Sequence, residues 1–96
     1  MTYHFTGSDK QIAWANDIAA KIDLGLEWGL NNSPAAYKPR LEEICQKIVN
    51  APARKIIDAF ADTARSDFPA DGEQAFRRVM SAFNAHQKMS INDDKF

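Results

Sequence analysis

A chain of 96 residues, 45% hydrophobic and 26% charged, is long enough for one small domain with its own core and too short for a separate catalytic domain. Twelve basic residues stand against thirteen acidic ones without blocks of like charge, which excludes a generally basic nucleic-acid binder and a strongly acidic mimic of DNA. A lone cysteine excludes an internal disulfide, and no apolar run approaches the roughly 18 residues that span a membrane. We expect a single cytoplasmic domain over 1–96 without membrane contact, with loose termini at 1–6 and 90–96.

The first predicted helix opens at a capping box. Ser8 can accept a hydrogen bond from the backbone three residues on, where the Gln11 side chain can reach back to the N–H of Ser8. Apolar residues then recur at helical spacing between Ile12 and Leu26. The pattern predicts an amphipathic helix that begins just after Ser8.

The end of this helix is less clearly marked. Over 24–30 every second residue is apolar, which is strand spacing, and Gly25 and Gly29 each disfavour a helix by about 1 kcal/mol. A strand there would need a partner, and only residues 2–6 offer one, as an isolated pair of marginal stability. We therefore favour a helix to about Leu30, with a short strand or irregular segment at 24–30 as the alternative.

Three further amphipathic helices follow. The second begins at Pro39 and ends near Asn50, the third runs over about Pro52–Arg65, and the fourth runs over about Asp71–Lys88. The predicted fold class is all-α, a small bundle of about four helices. Because its core would be thin, association into a homodimer would be a natural supplement to stability.

The residues able to do chemistry do not form a catalytic set. His4 lies in the amino-terminal segment, His86 lies at the edge of an apolar helix face, and Cys45 lies on the predicted buried face of the second helix. Asp58 and Asp62 could hold a metal, but flanking arginines explain them as ion pairs. No metal-binding or phosphate-binding motif is present. We expect neither an enzyme nor a bound cofactor or metal.

Basic residues on the third and fourth helices suggest an alternative function, a small nucleic-acid-associated protein. Such groups can contact phosphates, although a solvated helix face is the favoured explanation in a chain of net charge −1. The residues in question are Arg54, Lys55, Arg77, Arg78 and Lys88.

A second apolar face on the first helix is the more informative feature. Trp14, Lys21 and Trp28 are spaced by seven residues, with Leu24 beside Trp28, and this line points away from the main apolar face. The two tryptophans are either core residues or anchors for a partner, since tryptophan is enriched in both places. As an anchor set, these four residues predict a non-enzymatic protein-protein interaction module.

The segment 6–18 reads Thr-Gly-Ser-Asp-Lys-Gln-Ile-Ala-Trp-Ala-Asn-Asp-Ile. It resembles the opening of small, mostly uncharacterised bacterial proteins of plasmids, prophages and other mobile elements, typically Thr-Gly-Ser/Thr-x-Lys-Gln-Ile-x-Trp-Ala. The resemblance covers only this short segment and carries no known chemistry. Since such proteins often bind a larger host or competitor complex, it implies a phage or mobile-element inhibitor or accessory factor, a class that includes anti-CRISPR proteins.

Overall fold

The structure, a computed structural model, describes residues 1–89 and 95–96. These residues form four helices in chain order: α1 (Asp9–Asn32), α2 (Lys38–Val49), α3 (Ala53–Phe60) and α4 (Gly72–Met89). The all-α prediction is therefore confirmed. Of the carboxyl-terminal segment expected to be loose, 90–94 lie outside the described residues.

The first helix begins as the sequence predicts. The N–H of Gln11 donates to Ser8 Oγ, and the N–H of Ser8 donates to Gln11 Oε1, each over 3.2 Å. The helix then continues without interruption through 24–30 to Asn32. The strand alternative for 24–30 is wrong, because both glycines lie inside a continuous helix.

Gly25 and Gly29 mark the place where α4 crosses α1. A Cβ atom on Gly25 would lie 2.7 Å from the carbonyl carbon of Ala75 and 2.7 Å from the nitrogen of Phe76. A Cβ atom on Gly29 would overlap the ring of Phe76. The two glycines therefore form a notch that admits the backbone of α4 and the ring of Phe76. The packing at this notch outweighs the low helix propensity of glycine.

The core lies around α1, which contacts all three other helices and makes its most extensive contact with α4. Its main apolar face is buried from Ala15 to Leu26, with Ile22 and Leu26 at 0% exposure, while Ile12 near the start of the helix is half-buried. The radius of gyration of 12.6 Å matches the value of about 12.5 Å expected for a folded chain of this length. Among the described residues, the largest fully buried side chains are Phe60, Phe83, Ile22, Leu26, Leu41, Ile44, Ile48, Ile56 and Val79.

The third helix is shorter than predicted. Regular helix ends at Phe60, although the N–H of Ala64 still donates to the carbonyl oxygen of Phe60 over 2.9 Å. The helix ends just before Asp62 and Thr63, two residue types of low helix propensity. The chain therefore follows a turn-like path from Phe60 toward the loop before α4.

Residues 1–6, expected to be loose, are instead packed against the bundle. The N–H of His4 donates to the carbonyl oxygen of Val49, and the N–H of Ala53 donates to that of Thr6, each over 2.7 Å. Phe5 is buried between these two bonds. The segment therefore closes over the junction between α2 and α3.

Tyr3 fixes the same segment to α1. Its hydroxyl donates to Asp23 Oδ1 over 2.7 Å, and the amino group of Met1 lies 3.2 Å from the same oxygen. Partial burial and the Asp23 carboxylate raise the pKa of the Tyr3 hydroxyl, so the donor stays protonated through the neutral range.

At the other end, Phe96 is also packed. Its ring centroid lies 5.2 Å from that of Phe83 and 5.9 Å from that of Phe60. The end of the segment expected to be loose is therefore part of the apolar contact between α3 and α4.

We expect Gly25→Ala to lower the free energy of unfolding by about 2 kcal/mol, because the added methyl group would overpack against the α4 backbone. At an ordinary helix position the same change stabilises by about 1 kcal/mol. Asn16→Ala, at an exposed position of α1, is the control and should lie within about 0.5 kcal/mol of the parent. Urea titration measures both, and a stabilised Gly25→Ala would contradict the notch.

Candidate interaction surface

The four residues predicted as a contact face, Trp14, Lys21, Leu24 and Trp28, occupy one side of α1, which we call the outer stripe. Trp14 is 54% exposed and Leu24 is 42% exposed. Lys21, between them, is also exposed, whereas Trp28 is half-buried. Because residues three, four and seven apart share a helix face, the structure presents the first three together to solvent.

Trp28 contributes to the bundle as well as to the outer stripe. Its ring centroid lies 5.6 Å from that of Phe76, with the planes inclined at 42°. A Cβ atom on Gly72 would lie 2.6 Å from Trp28 Cδ1, so the start of α4 packs directly under the indole. Trp28 is therefore partly a core residue, and the interpretation that both tryptophans are core is wrong for Trp14.

Exposure of Trp14 and Leu24 distinguishes the outer stripe from an ordinary solvated face. A tryptophan buries a large apolar area with few rotatable bonds, so it contributes strongly where a partner covers it. Here the anchor stands on a helix whose other side is the core, so its backbone is held in place before any contact. Large hydrophobic side chains that are exposed among the described residues are Met1, Trp14, Leu24, Tyr37 and Met89.

The basic residues of α3 do not form a phosphate-binding surface. Lys55 is buried, and its Nζ donates to the carbonyl oxygen of Lys95 over 3.0 Å. Arg54 is exposed and lies 4.0 Å from Asp58. The prediction that Lys55 is available to nucleic acid is wrong, because its ammonium group lies inside the fold and is bound to backbone.

The basic residues of α4 lie closer together, but their guanidinium groups have partners within the chain. Arg77 Nη2 lies 2.9 Å from Glu73 Oε1. The Arg78 guanidinium lies 5.9 Å from the ring centroid of Phe68. Lys88 is exposed near the end of the helix. Of the five predicted residues, only Arg77 and Arg78 line the same cavity, and Lys88 lies about three turns further along α4.

The sequence interpretation missed a groove that lies between α4 on one side and α3 with the turn that follows it on the other. It consists of two adjoining cavities of about 450 and 330 Å³ that share Thr63, Ala82 and Ala85. Arg77 and Arg78 line the larger cavity. The alanines on the outward side of α4 could have predicted the groove, because their small side chains leave a depression. Met89, which is 86% exposed, lines the smaller cavity, but no tryptophan or leucine lines either cavity.

The residues considered for chemistry lie apart from one another in the structure. His86 packs edge-on against Phe96, with ring centroids 5.1 Å apart. Cys45 is buried, and burial raises the pKa of its thiol to about 11. His4 is exposed on the amino-terminal segment, and Asp58 lies beside Arg54. Over 1–89 and 95–96, no group of three His, Cys, Asp or Glu side chains is arranged to hold a metal ion.

In the part of the chain that the structure describes, no helix is both long and apolar enough to cross a membrane. Comparison of the chain with protein-family models, with curated proteins and with solved structures finds no match.

We expect Trp14→Ala to leave the free energy of unfolding within about 0.5 kcal/mol of the parent, because more than half of the residue is in solvent. Trp28→Ala, the matched substitution, should cost about 2 kcal/mol, because it removes the ring that packs on Phe76 and Gly72. Chemical denaturation followed by circular dichroism measures both. Equal losses for the two variants would contradict the assigned environments.

We expect Cys45 to react with a thiol reagent at pH 8 at least about a hundredfold more slowly in the native protein than in denaturant. The thiolate is the reactive form, and burial raises the pKa from 9.0 to about 11. The same pKa difference lowers the free energy of unfolding as the pH rises from 9 to 11. In that range the unfolded chain releases the Cys45 proton at a lower pH than the folded chain does. Native reactivity equal to that in denaturant would contradict burial.

Proposed function

We propose that this protein is a non-enzymatic protein-interaction module that binds a larger protein through the outer stripe of α1. The observation that carries the proposal is the 54% exposure of Trp14 on a helix whose other side is the core. An indole in water gains nothing from its apolar surface, whereas a partner that covers it removes that surface from water.

The geometry of the stripe suits an interface. Trp14 and Leu24 supply apolar area, and Lys21 between them supplies a charge that can select the partner. Because α1 is held by the other three helices, binding does not have to order the backbone that presents these side chains. Such preorganisation lowers the entropic cost of association.

The resemblance of 6–18 to proteins of mobile elements suggests the kind of partner. Trp14, the exposed anchor, is one of the residues on which that resemblance depends. Inhibitors and accessory factors of phages and mobile elements, of which anti-CRISPR proteins are one type, often act by covering a surface of a larger complex. This role requires an anchored face rather than catalytic groups.

The nucleic-acid alternative has less support from the structure. Of its five residues, Lys55 is buried, and Arg77 and Arg78 contact Glu73 and Phe68. The net charge of −1 adds no general attraction for phosphates. We therefore favour protein interaction through the outer stripe over binding of nucleic acid.

The test is capture of binding proteins from a nuclease-treated bacterial lysate with the tagged chain and three variants. We expect a discrete protein to be retained by the parent and by Tyr37→Ala, an exposed aromatic control on the loop before α2. The same protein should be lost with Trp14→Ala and with Leu24→Gln. Circular dichroism should show that all four proteins are folded.

Two outcomes would contradict the proposal. Equal retention by Trp14→Ala would show that the partner uses another surface. Loss of all binding after nuclease treatment, with binding before treatment that weakens steeply as salt rises, would point to phosphate contacts and to Arg77 and Arg78.

A further inference from the structure

Two charged residues complete a regular seam along the outer stripe. The positions follow one another at spacings of four, three, four, three and four residues, the pattern by which a helix offers a continuous line of side chains to one partner helix. At about 100° per residue they fall within an arc of about 80°, and the seam is about 27 Å long. In order they are Lys10, Trp14, Asp17, Lys21, Leu24 and Trp28.

The seam is accessible over most of its length. Lys10, Asp17 and Lys21 are exposed, as are the two apolar anchors already described, and only Trp28 is half-buried. Ala13 and Ala20, both exposed, border the seam. Small side chains at this border allow the axis of a second helix to come close.

The seam is complementary to itself when a second copy runs in the opposite direction. With a two-fold axis midway between residues 17 and 21, Trp14 faces Leu24 of the second copy. Asp17 then faces Lys21 of the second copy. Lys10 faces the part of Trp28 that α4 leaves exposed, where an ammonium group over an indole is attractive. Every layer of the seam therefore pairs apolar with apolar, acid with base, or cation with aromatic ring.

We propose that the protein forms a two-fold symmetric dimer in which the outer stripe of α1 pairs with that of a second copy in antiparallel orientation. This rests on the proposed function in using the same interaction surface, and it adds a second copy of the chain as an occupant of that surface. The larger protein and the second copy would then compete for the stripe. In such a two-fold interface each contact occurs twice.

Charge selects the antiparallel orientation. A parallel pair in register places Asp17 against Asp17 of the second copy, Lys21 against Lys21, and Lys10 against Lys10. Each of these layers is repulsive, whereas the antiparallel pair has none. The charged residues in the middle of the seam therefore set direction and register, while Trp14 and Leu24 supply the apolar contact on either side.

The first measurement is sedimentation equilibrium of the full chain at concentrations from about 1 µM to about 1 mM. We expect a reversible monomer–dimer equilibrium. Lys21→Glu should raise the dimer dissociation constant at least about tenfold, because it turns two attractive contacts into two repulsive ones. Lys38→Glu makes the same change of charge at an exposed position of α2 and should leave the constant within about twofold.

A mixture of two variants tests the pairing itself. Asp17→Lys and Lys21→Glu should each dimerise poorly alone. Mixed in equal amounts, they should recover a heterodimer near the affinity of the parent, because each 17–21 contact is again between opposite charges. Failure of the mixture to recover would overturn the proposed pairing.

Cysteine cross-linking tests the direction. Trp14→Cys mixed with Leu24→Cys should give a disulfide-linked heterodimer under mild oxidation, and neither variant alone should cross-link through its new cysteine. The parent, which retains the buried Cys45, is the control for that thiol. Efficient cross-linking of Trp14→Cys with itself would indicate a parallel pair and overturn the proposal.

The outcomes separate this proposal from the preceding one. A chain that stays monomeric to about 1 mM overturns the dimer, while loss of captured protein with Trp14→Ala would still support the interaction module. A dimer unaffected by Lys21→Glu also overturns the proposal, because the copies would then meet through another surface. A dimer that responds as described, with no other protein captured, would make the second copy the partner of the stripe and refute the larger one.

Discussion

The close approach of α1 and α4 at Gly25 and Gly29 is the constraint on which the rest of the structure depends. Two glycines in one helix are unfavourable by about 1 kcal/mol each when nothing packs on them. Here Ala75 and Phe76 occupy the space that two side chains would take. The position of α4 then determines how much of Trp28 is covered, and it leaves the remainder of the outer stripe open.

The same helix therefore performs two tasks on neighbouring faces. Ile22 and Leu26 lie in the core, while Trp14 and Leu24 lie in water. A helix held on one side by three others has little freedom to adjust on the opposite side. Any partner must fit the stripe as it stands, which favours selectivity over adaptability.

The parts of the fold that were predictable from sequence depend on local interactions. Ser8 and Gln11 satisfy each other across one turn, and the apolar spacing in α1 needs no knowledge of its neighbours. The helical state of 24–30 was harder, since the benefit of Gly25 comes from α4, fifty residues along the chain. Without knowledge of the helix that packs against it, Gly25 indicates only a lower helix propensity.

The candidate site divides in the same way. That Trp14, Lys21 and Leu24 share a helix face follows from their spacing alone. Which of the tryptophans is covered does not, because Gly72 and Phe76 decide it for Trp28 from another helix. Lys55 shows the converse. Its type predicts a surface residue, yet the carbonyl oxygen of Lys95 allows its ammonium group to lie inside the fold.

The hydrogen bonds of His4 and Thr6 to the junction of α2 and α3 also affect the kinetics of folding. Each helix can form from contacts within itself in about a microsecond, whereas these two bonds join points more than forty residues apart and must wait for the bundle to assemble. They should be among the last contacts to close in folding and among the first to open afterwards. Since they hold the chain just ahead of Ser8, their opening would loosen the first turn of α1, close to Trp14. The amino-terminal segment thus limits how often the first turn of the helix that carries the anchor loosens.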